Sequence, residues 1–135
     1  MLQSDDPVYI LLATYNGERF LAAQIASLLA QEDPDWLLLV RDDGSTDGTL
    51  EILSQTARSD RRVRILRSRT ERLGSAGSFF ELMQQAISEG ARYFALCDQD
   101  DVWLPQKLSL MRLALHDLEG VVGPDAALLC WSDLS

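Results

Sequence analysis

One lysine, one histidine and two cysteines among 135 residues leave little room for several classes of chemistry. With 12 basic against 21 acidic residues and a formal charge of −9, the chain lacks the excess of cations that sequence-independent binding to nucleic acid or anionic lipid needs. The single histidine, His116, sits among Leu113, Leu115 and Leu118 as the surface residue of an amphipathic segment. No histidine is therefore placed to activate a serine, and no Gly-x-Ser-x-Gly elbow occurs. Cys97 and Cys130 each lie inside an apolar run, where a free thiol behaves as a small buried hydrophobe, so neither a disulfide framework nor zinc spacing follows. No apolar stretch reaches the roughly 18 to 20 residues of a membrane span, and residues 1–7 are polar and acidic rather than basic and then apolar. A reducing, cytoplasmic setting is the expectation.

What is abundant is apolar residue, 47% of the chain, enough for the core of one domain. Its distribution alternates between two patterns. Residues 8–14, 36–41, 63–66, 93–97 and 126–131 are short apolar runs that predict buried strands. Between them, Leu21, Ile25, Leu28 and Leu29, then Leu50, Leu53 and Ala57, then Phe79, Met83, Ala86 and Ile87, recur at helical spacing. Gly90 closes the third helix, and Pro105 opens a fourth carrying Leu108, Met111, Leu115 and Leu118. Continuous apolar strands alternating with amphipathic helices predict an α/β fold: an open, largely parallel sheet with helices on both faces.

In such a fold ligands bind beyond the carboxyl ends of the strands. That rule selects Thr14-Tyr15-Asn16-Gly17-Glu18, Asp42-Asp43-Gly44-Ser45 and Asp98-Gln99-Asp100-Asp101 with no reference to function. Carboxylates side by side at a sheet edge repel unless a cation or hydrogen-bond donors stabilise them, and hard oxygen ligands suit Mg²⁺ or Mn²⁺. Metal and nucleotide are the reading for Asp98 and Asp100, whereas Asp101 is read as facing the positive end of the following helix. Asp43, Ser45, Asp47 and Gly48 match the opening of a calcium loop, but its twelfth position is Ser54 instead of a bidentate Glu and its flanks are strand then helix. Turn and cap chemistry accounts for residues 44–48, while Asp42 and Asp43 stand too early to cap, leaving a ligand role open. The stretch 73–78, including Gly74, reads as a flexible connection and cap with phosphate contact as the alternative. Among Arg58, Arg61, Arg62, Arg64, Arg67, Arg69 and Arg72, a mixed loop and an exposed strand face explain most, and phosphate contact by one stays open.

These three strand-end segments, in this order and spacing, resemble family 2 glycosyltransferases of the GT-A fold, from about Val8 to the C-terminus. The resemblance implies that Thr14, Tyr15, Asn16 and Glu18 bind a nucleotide diphosphate sugar donor. It makes Asp43 the acceptor for the imide N–H of uracil or thymine; from the reading of the residues themselves, Asp42 and Gly74 join Gln99 as further candidates for contact with the nucleotide sugar. Asp98-Gln99-Asp100 matches the Asp-x-Asp motif, giving Asp98 and Asp100 as metal residues with Mg²⁺ or Mn²⁺ as cofactor. Inversion at the anomeric carbon by direct attack of an acceptor hydroxyl is implied as well. The Arg-Asp-Asp-Gly-Ser and Cys-Asp-Gln-Asp-Asp-Val-Trp wording is most similar to rhamnosyltransferases of bacterial surface polysaccharides.

The family's acceptor site and catalytic base lie well beyond the Asp-x-Asp motif, and Asp125 and Asp133 come too soon for that role. The expectation is a donor-binding domain truncated before the acceptor-binding half, with the carbohydrate acceptor and any peripheral contact with the inner membrane face belonging to a full-length protein. Exposed apolar surface would then favour self-association. A nucleotide-binding or interaction module without turnover is the rival function. A sugar nucleotidyltransferase would require a Gly-rich, basic loop where Thr14-Tyr15-Asn16-Gly17-Glu18 stands.

Overall fold

A computed structural model describes residues 6–67, 72–98 and 100–123. The elements run β1 (Val8–Thr14), α1 (Glu18–Leu29), β2 (Trp36–Asp42), α2 (Thr49–Ser59), β3 (Val63–Ile65), α3 (Gly74–Ser88), β4 (Tyr93–Cys97) and α4 (Lys107–Val122). The four strands form one sheet in the order β3-β2-β1-β4, with every pairing parallel. The expected strand at 126–131, together with Cys130, Asp125 and Asp133, lies outside the described residues.

Strand β1 explains the layering. Its side chains alternate faces, and six of its seven residues are buried, so both faces need cover. Val8, Ile10 and Leu12 pack with Leu21, Ile25 and Leu28 of α1, Leu53 of α2 and Leu108 of α4. Tyr9 and Leu11 face the other way, onto Leu82 and Ala86 of α3. The chain places β2 and β3 on one side of β1 and then reverses to place β4 on the other. A right-handed crossover made in the reversed direction puts its helix on the opposite face, which is why α3 stands alone there. The reversal also opens a crevice between the carboxyl ends of β1 and β4.

Several helix faces differ from the periodic reading. Leu29, Leu50, Met83, Ile87 and Leu118 are exposed, while Gln24, Thr49 and Ser78 are buried in α1, α2 and α3. Helix α3 begins at Gly74 rather than near Phe79, so the Gly-Ser stretch is its first turns and not a flexible connection. Its end is as expected: Gly90 adopts φ 85°, and the amide of Ala91 closes on the carbonyl of Ala86. Helix α4 starts at Lys107, two residues after Pro105, with Gln106 as N-cap. Among the described residues no helix is long and apolar enough to cross a membrane.

Candidate functional site

The loops after β1 and β2 are built as one unit. The Thr14 hydroxyl, itself buried, donates to Asp42 Oδ1 at 2.8 Å. The same carboxylate accepts from the amides of Gly44 (3.1 Å) and Ser45 (2.8 Å) and from the Ser45 hydroxyl (2.6 Å). With four donors on it, Asp42 has used the acceptor capacity of a carboxylate, which is about four. Asn16, at φ 47°, receives the amide of Thr46 on its side-chain oxygen at 2.8 Å, and its own amide donates to Ser45 Oγ at 2.8 Å. The two helix starts then cap each other. The Glu18 amide donates to Asp47 Oδ2 (3.2 Å), while Glu18 Oε2 accepts the amide of Gly48, the N-cap of α2, at 2.9 Å. Because Asp42 gathers three of these turn donors and the Thr14 hydroxyl, Asp42→Ala is expected to lower the unfolding free energy by about 1–3 kcal/mol, measured by urea denaturation.

Asp43 is buried between this unit and α3. Its Oδ1 accepts from Arg41 Nη1 (2.7 Å) and from the amide of Leu73 (2.8 Å), and its Oδ2 from the amide of Gly74 (3.0 Å). Arg41, also buried, donates from Nη1 to Ser78 Oγ at 2.8 Å and sets Nε 3.6 Å from Glu81. These contacts explain the early start of α3: a carboxylate takes amides of its opening turn, where negative charge is favoured. Burial pushes the Asp43 carboxyl upward, but the bonds from Arg41, Leu73 and Gly74 outweigh it and hold the group below the usual carboxylate range. Outside this layer, the Arg72 guanidinium lies 3.9 Å from the centre of the Tyr15 ring and 3.8 Å from Asp43 Oδ2.

A cleft of about 260 Å³ opens here, lined by Thr14, Tyr15, Asp43, Gly74, Phe79 and Asp98, among others. It sits where the strand order reverses. On its β4 side Asp98 is exposed; Asp100, two residues on and outside the cleft lining, is exposed as well and holds φ 76°, an uncommon backbone for a residue other than glycine and one found disproportionately at functional sites. Cys97, immediately before them, is buried, and burial pushes its thiol up to about 12, so it stays protonated and takes no part as a nucleophile. Among the described residues no group of three or more His, Cys, Asp or Glu side chains forms a cation cage.

The structure thus brings Thr14, Tyr15, Asp43, Gly74 and Asp98 to one cleft. Asn16, Glu18 and Asp42 are not in its lining and are engaged in holding the loops, and Gln99 lies outside the described residues. The periodic reading passed over Arg41, hidden in a buried strand, and Gln24, whose side-chain amide donates to the carbonyl of Asp98. A charged residue ending an apolar run, and polar residues recurring on the buried face of α1, were the available signals. Of the arginine cluster, Arg62 covers the ring of Trp36 and Arg64 pairs with Glu89, whereas Arg72 lies against Tyr15 and Asp43 of the cleft lining.

The comparisons with known proteins agree with this geometry. The chain is 34% identical over 98 residues to the dTDP-rhamnosyl transferase RfbG of Shigella flexneri, covering 72% of this chain and 34% of that protein. It is 35% identical over 104 residues to the UDP-Glc:alpha-D-GlcNAc-diphosphoundecaprenol beta-1,3-glucosyltransferase WfgD of Escherichia coli, covering 76% and 38%. The chain therefore spans roughly a third of the length of these relatives. Among solved structures, it superposes on S. aureus TarS 1-349 in complex with UDP-GlcNAc with a TM-score of 0.72 at 23% identity, covering 84% of this chain and 32% of that one. A mannosyltransferase from Pyrobaculum calidifontis in complex with GDP-Man and Mn2+ gives 0.61 at 22% identity, covering 76% and 30%. Both likenesses carry the GT-A fold. Residues 9–125 match the profile of glycosyl transferase family 2, so the strand order, the acidic strand ends and the shared sequence converge: the chain belongs to that family.

Proposed function

We propose that the chain is the donor-binding part of an inverting, divalent-metal-dependent glycosyltransferase that takes a uridine or thymidine diphosphate sugar and works in bacterial surface polysaccharide synthesis. The observation that carries this reading is the cleft itself. It joins an aromatic face, a buried carboxylate held ionised, and Asp98, the first residue of an exposed acidic turn, within one crevice. Tyr15 supplies the ring against which a base stacks. Asp43 accepts three hydrogen bonds against a capacity of about four, so it retains room for the imide N–H of a pyrimidine. Adenine has no ring N–H on that edge, and the N1–H of guanine lies further from the ribose because the fused imidazole ring intervenes. RfbG and WfgD, by their names, use dTDP and UDP donors, which supports a pyrimidine nucleotide here.

The donor set of the acidic turn fits Mg²⁺ or Mn²⁺. Two exposed carboxylates, with no third side chain completing a cage among the described residues, suit an ion that shares its coordination with phosphate oxygens. A bound cation would act as a Lewis acid, neutralising the diphosphate as it leaves. Asp98 and Asp100 hold the charge and Gln99 lies between them, while Asp42, Asn16 and Glu18 keep the base-facing loops in shape. The carbohydrate acceptor and the base that deprotonates it are assigned to the whole protein and to no residue described here.

Calorimetric titration with UDP, dTDP, GDP and ADP, each with Mn²⁺ and again with chelator, tests the reading. The pyrimidine forms are expected to bind about tenfold or more tighter than the purine forms, the worth of one hydrogen bond to a charged group. Mn²⁺ is expected to strengthen pyrimidine nucleotide binding. Equal affinities for all four would remove Asp43 from base recognition, and equal affinities with and without chelator would remove the metal.

A further inference from the structure

Helix α1 carries a polar stripe on a side that ought to be apolar. Gln24, Ser27 and Gln31, three and four residues apart, point the same way, with Gln31 just past the helix end. All three reach the segment between β4 and α4. Gln24 Nε2 donates to the carbonyl of Asp98 and lies 3.2 Å from Cys97 Sγ. Ser27 Oγ accepts the amide of Trp103 at 3.0 Å. Gln31 Nε2 donates to the carbonyl of Leu104 at 2.8 Å, and its Oε1 accepts the amide of Leu108 at 3.0 Å. The acidic turn and the approach to α4 are therefore laid along α1 as along a template.

Gln24 is the telling member. It is fully buried, yet among the described residues its Oε1 has no hydrogen-bond partner. A buried amide satisfied at one end only is a poor choice for stability, since an apolar side chain of the same shape would leave nothing unmet. What the donor end achieves is specific: it holds the Asp98 carbonyl against α1, and Asp98 lines the cleft.

We propose that Gln24 is a positioning residue that sets the reach of the Asp98 and Asp100 carboxylates toward a divalent cation, with Ser27 and Gln31 continuing the same support. This rests on the metal-dependent reading above. The prediction is that Gln24→Met, close in volume and apolar, leaves UDP affinity in chelator within twofold of the parent. It lowers UDP affinity in Mn²⁺ at least fivefold and broadens the electron paramagnetic signal of bound Mn²⁺. Amide hydrogen exchange at Asp101 and Trp103 speeds at least tenfold while β1 stays protected. Val63→Ala, in the strand at the far edge of the sheet, serves as a destabilised control and changes neither the metal gain nor that local exchange. Should Gln24→Met fail to fold, Ser27→Ala is measured in its place, with the same pattern expected.

The proposal is overturned if Gln24→Met keeps the parent's full metal gain, or if it loses metal-free and metal-assisted affinity by the same factor. A parent that gains nothing from Mn²⁺ defeats the functional reading instead. Exchange alone then decides whether Gln24 fixes the turn: unchanged rates at Asp101 and Trp103 would overturn the positioning role, and faster ones would uphold it.

Discussion

Asp43→Ala is expected to lower the unfolding free energy by about 3 kcal/mol, the lower end of what removing one partner from a buried ion pair costs. The Arg41 guanidinium is almost completely enclosed, with Asp43 at 2.7 Å; Glu81, at 3.6 Å, remains and moderates the loss. The same substitution removes the acceptor for the amides of Leu73 and Gly74, so the first turn of α3 should loosen with it. Urea denaturation measures the change, and a loss below about 1 kcal/mol would mean that Arg41 re-pairs without cost. The pH dependence has a definite sign. The folded Asp43 carboxyl is depressed, so its contribution is complete above the unfolded carboxylate value of about 3.9 and is lost as pH falls through the lower folded value. Asp43→Asn should therefore flatten the acid limb of the stability profile.

If the chain binds UDP with a divalent metal as proposed, Asp100→Asn is expected to erase the whole gain in UDP affinity from Mn²⁺, with little change in thermal stability. The side chain is exposed, and asparagine tolerates the φ of 76° that this position adopts, so neither packing nor backbone geometry opposes the change. Removing the charge takes away a hard anionic ligand from a pair that has no third side chain to replace it among the described residues. Titration with and without chelator reads the effect. A variant that still responds to Mn²⁺ as the parent does would place the cation elsewhere. Asp100→Gly should erase the gain equally while raising stability slightly, because glycine occupies positive φ without strain.

Why some of this was legible in sequence and some was not comes down to the range of the interactions. Strand β1 begins and ends where its apolar run does, because burial on both faces leaves no choice of residue; β4, at the sheet edge, also matches its apolar run although Phe94 is half-buried and Leu96 exposed. The three acidic or polar strand ends follow from the same rule. The start of α3 was hidden because Gly74 and Gly77 weigh against a helix locally, whereas the bonds that fix it come from Asp43, some 30 residues earlier. Met83 and Ile87 are apolar but exposed, since the face of α3 that meets β1 and β2 runs through Ser78, Leu82 and Ala86. Gln24 and Arg41 were missed for the converse reason: periodicity counts a polar side chain as surface, and each is buried by partners that only the folded chain supplies.

The exchanged caps between Glu18 and Asp47 bear on how such domains can be recombined. A chimera that imports the β2–α2 loop from a relative, to alter donor choice, leaves behind the carboxylate that served the start of α1 and brings a helix whose own cap was contributed by a different first loop. Each helix would then open with an amide facing no acceptor. The segment after β1 and the segment after β2 thus form a single inheritable cassette, although some 25 residues of helix and strand separate them in the chain. Swaps that move both together should keep the parent's folding, and swaps of either alone should not.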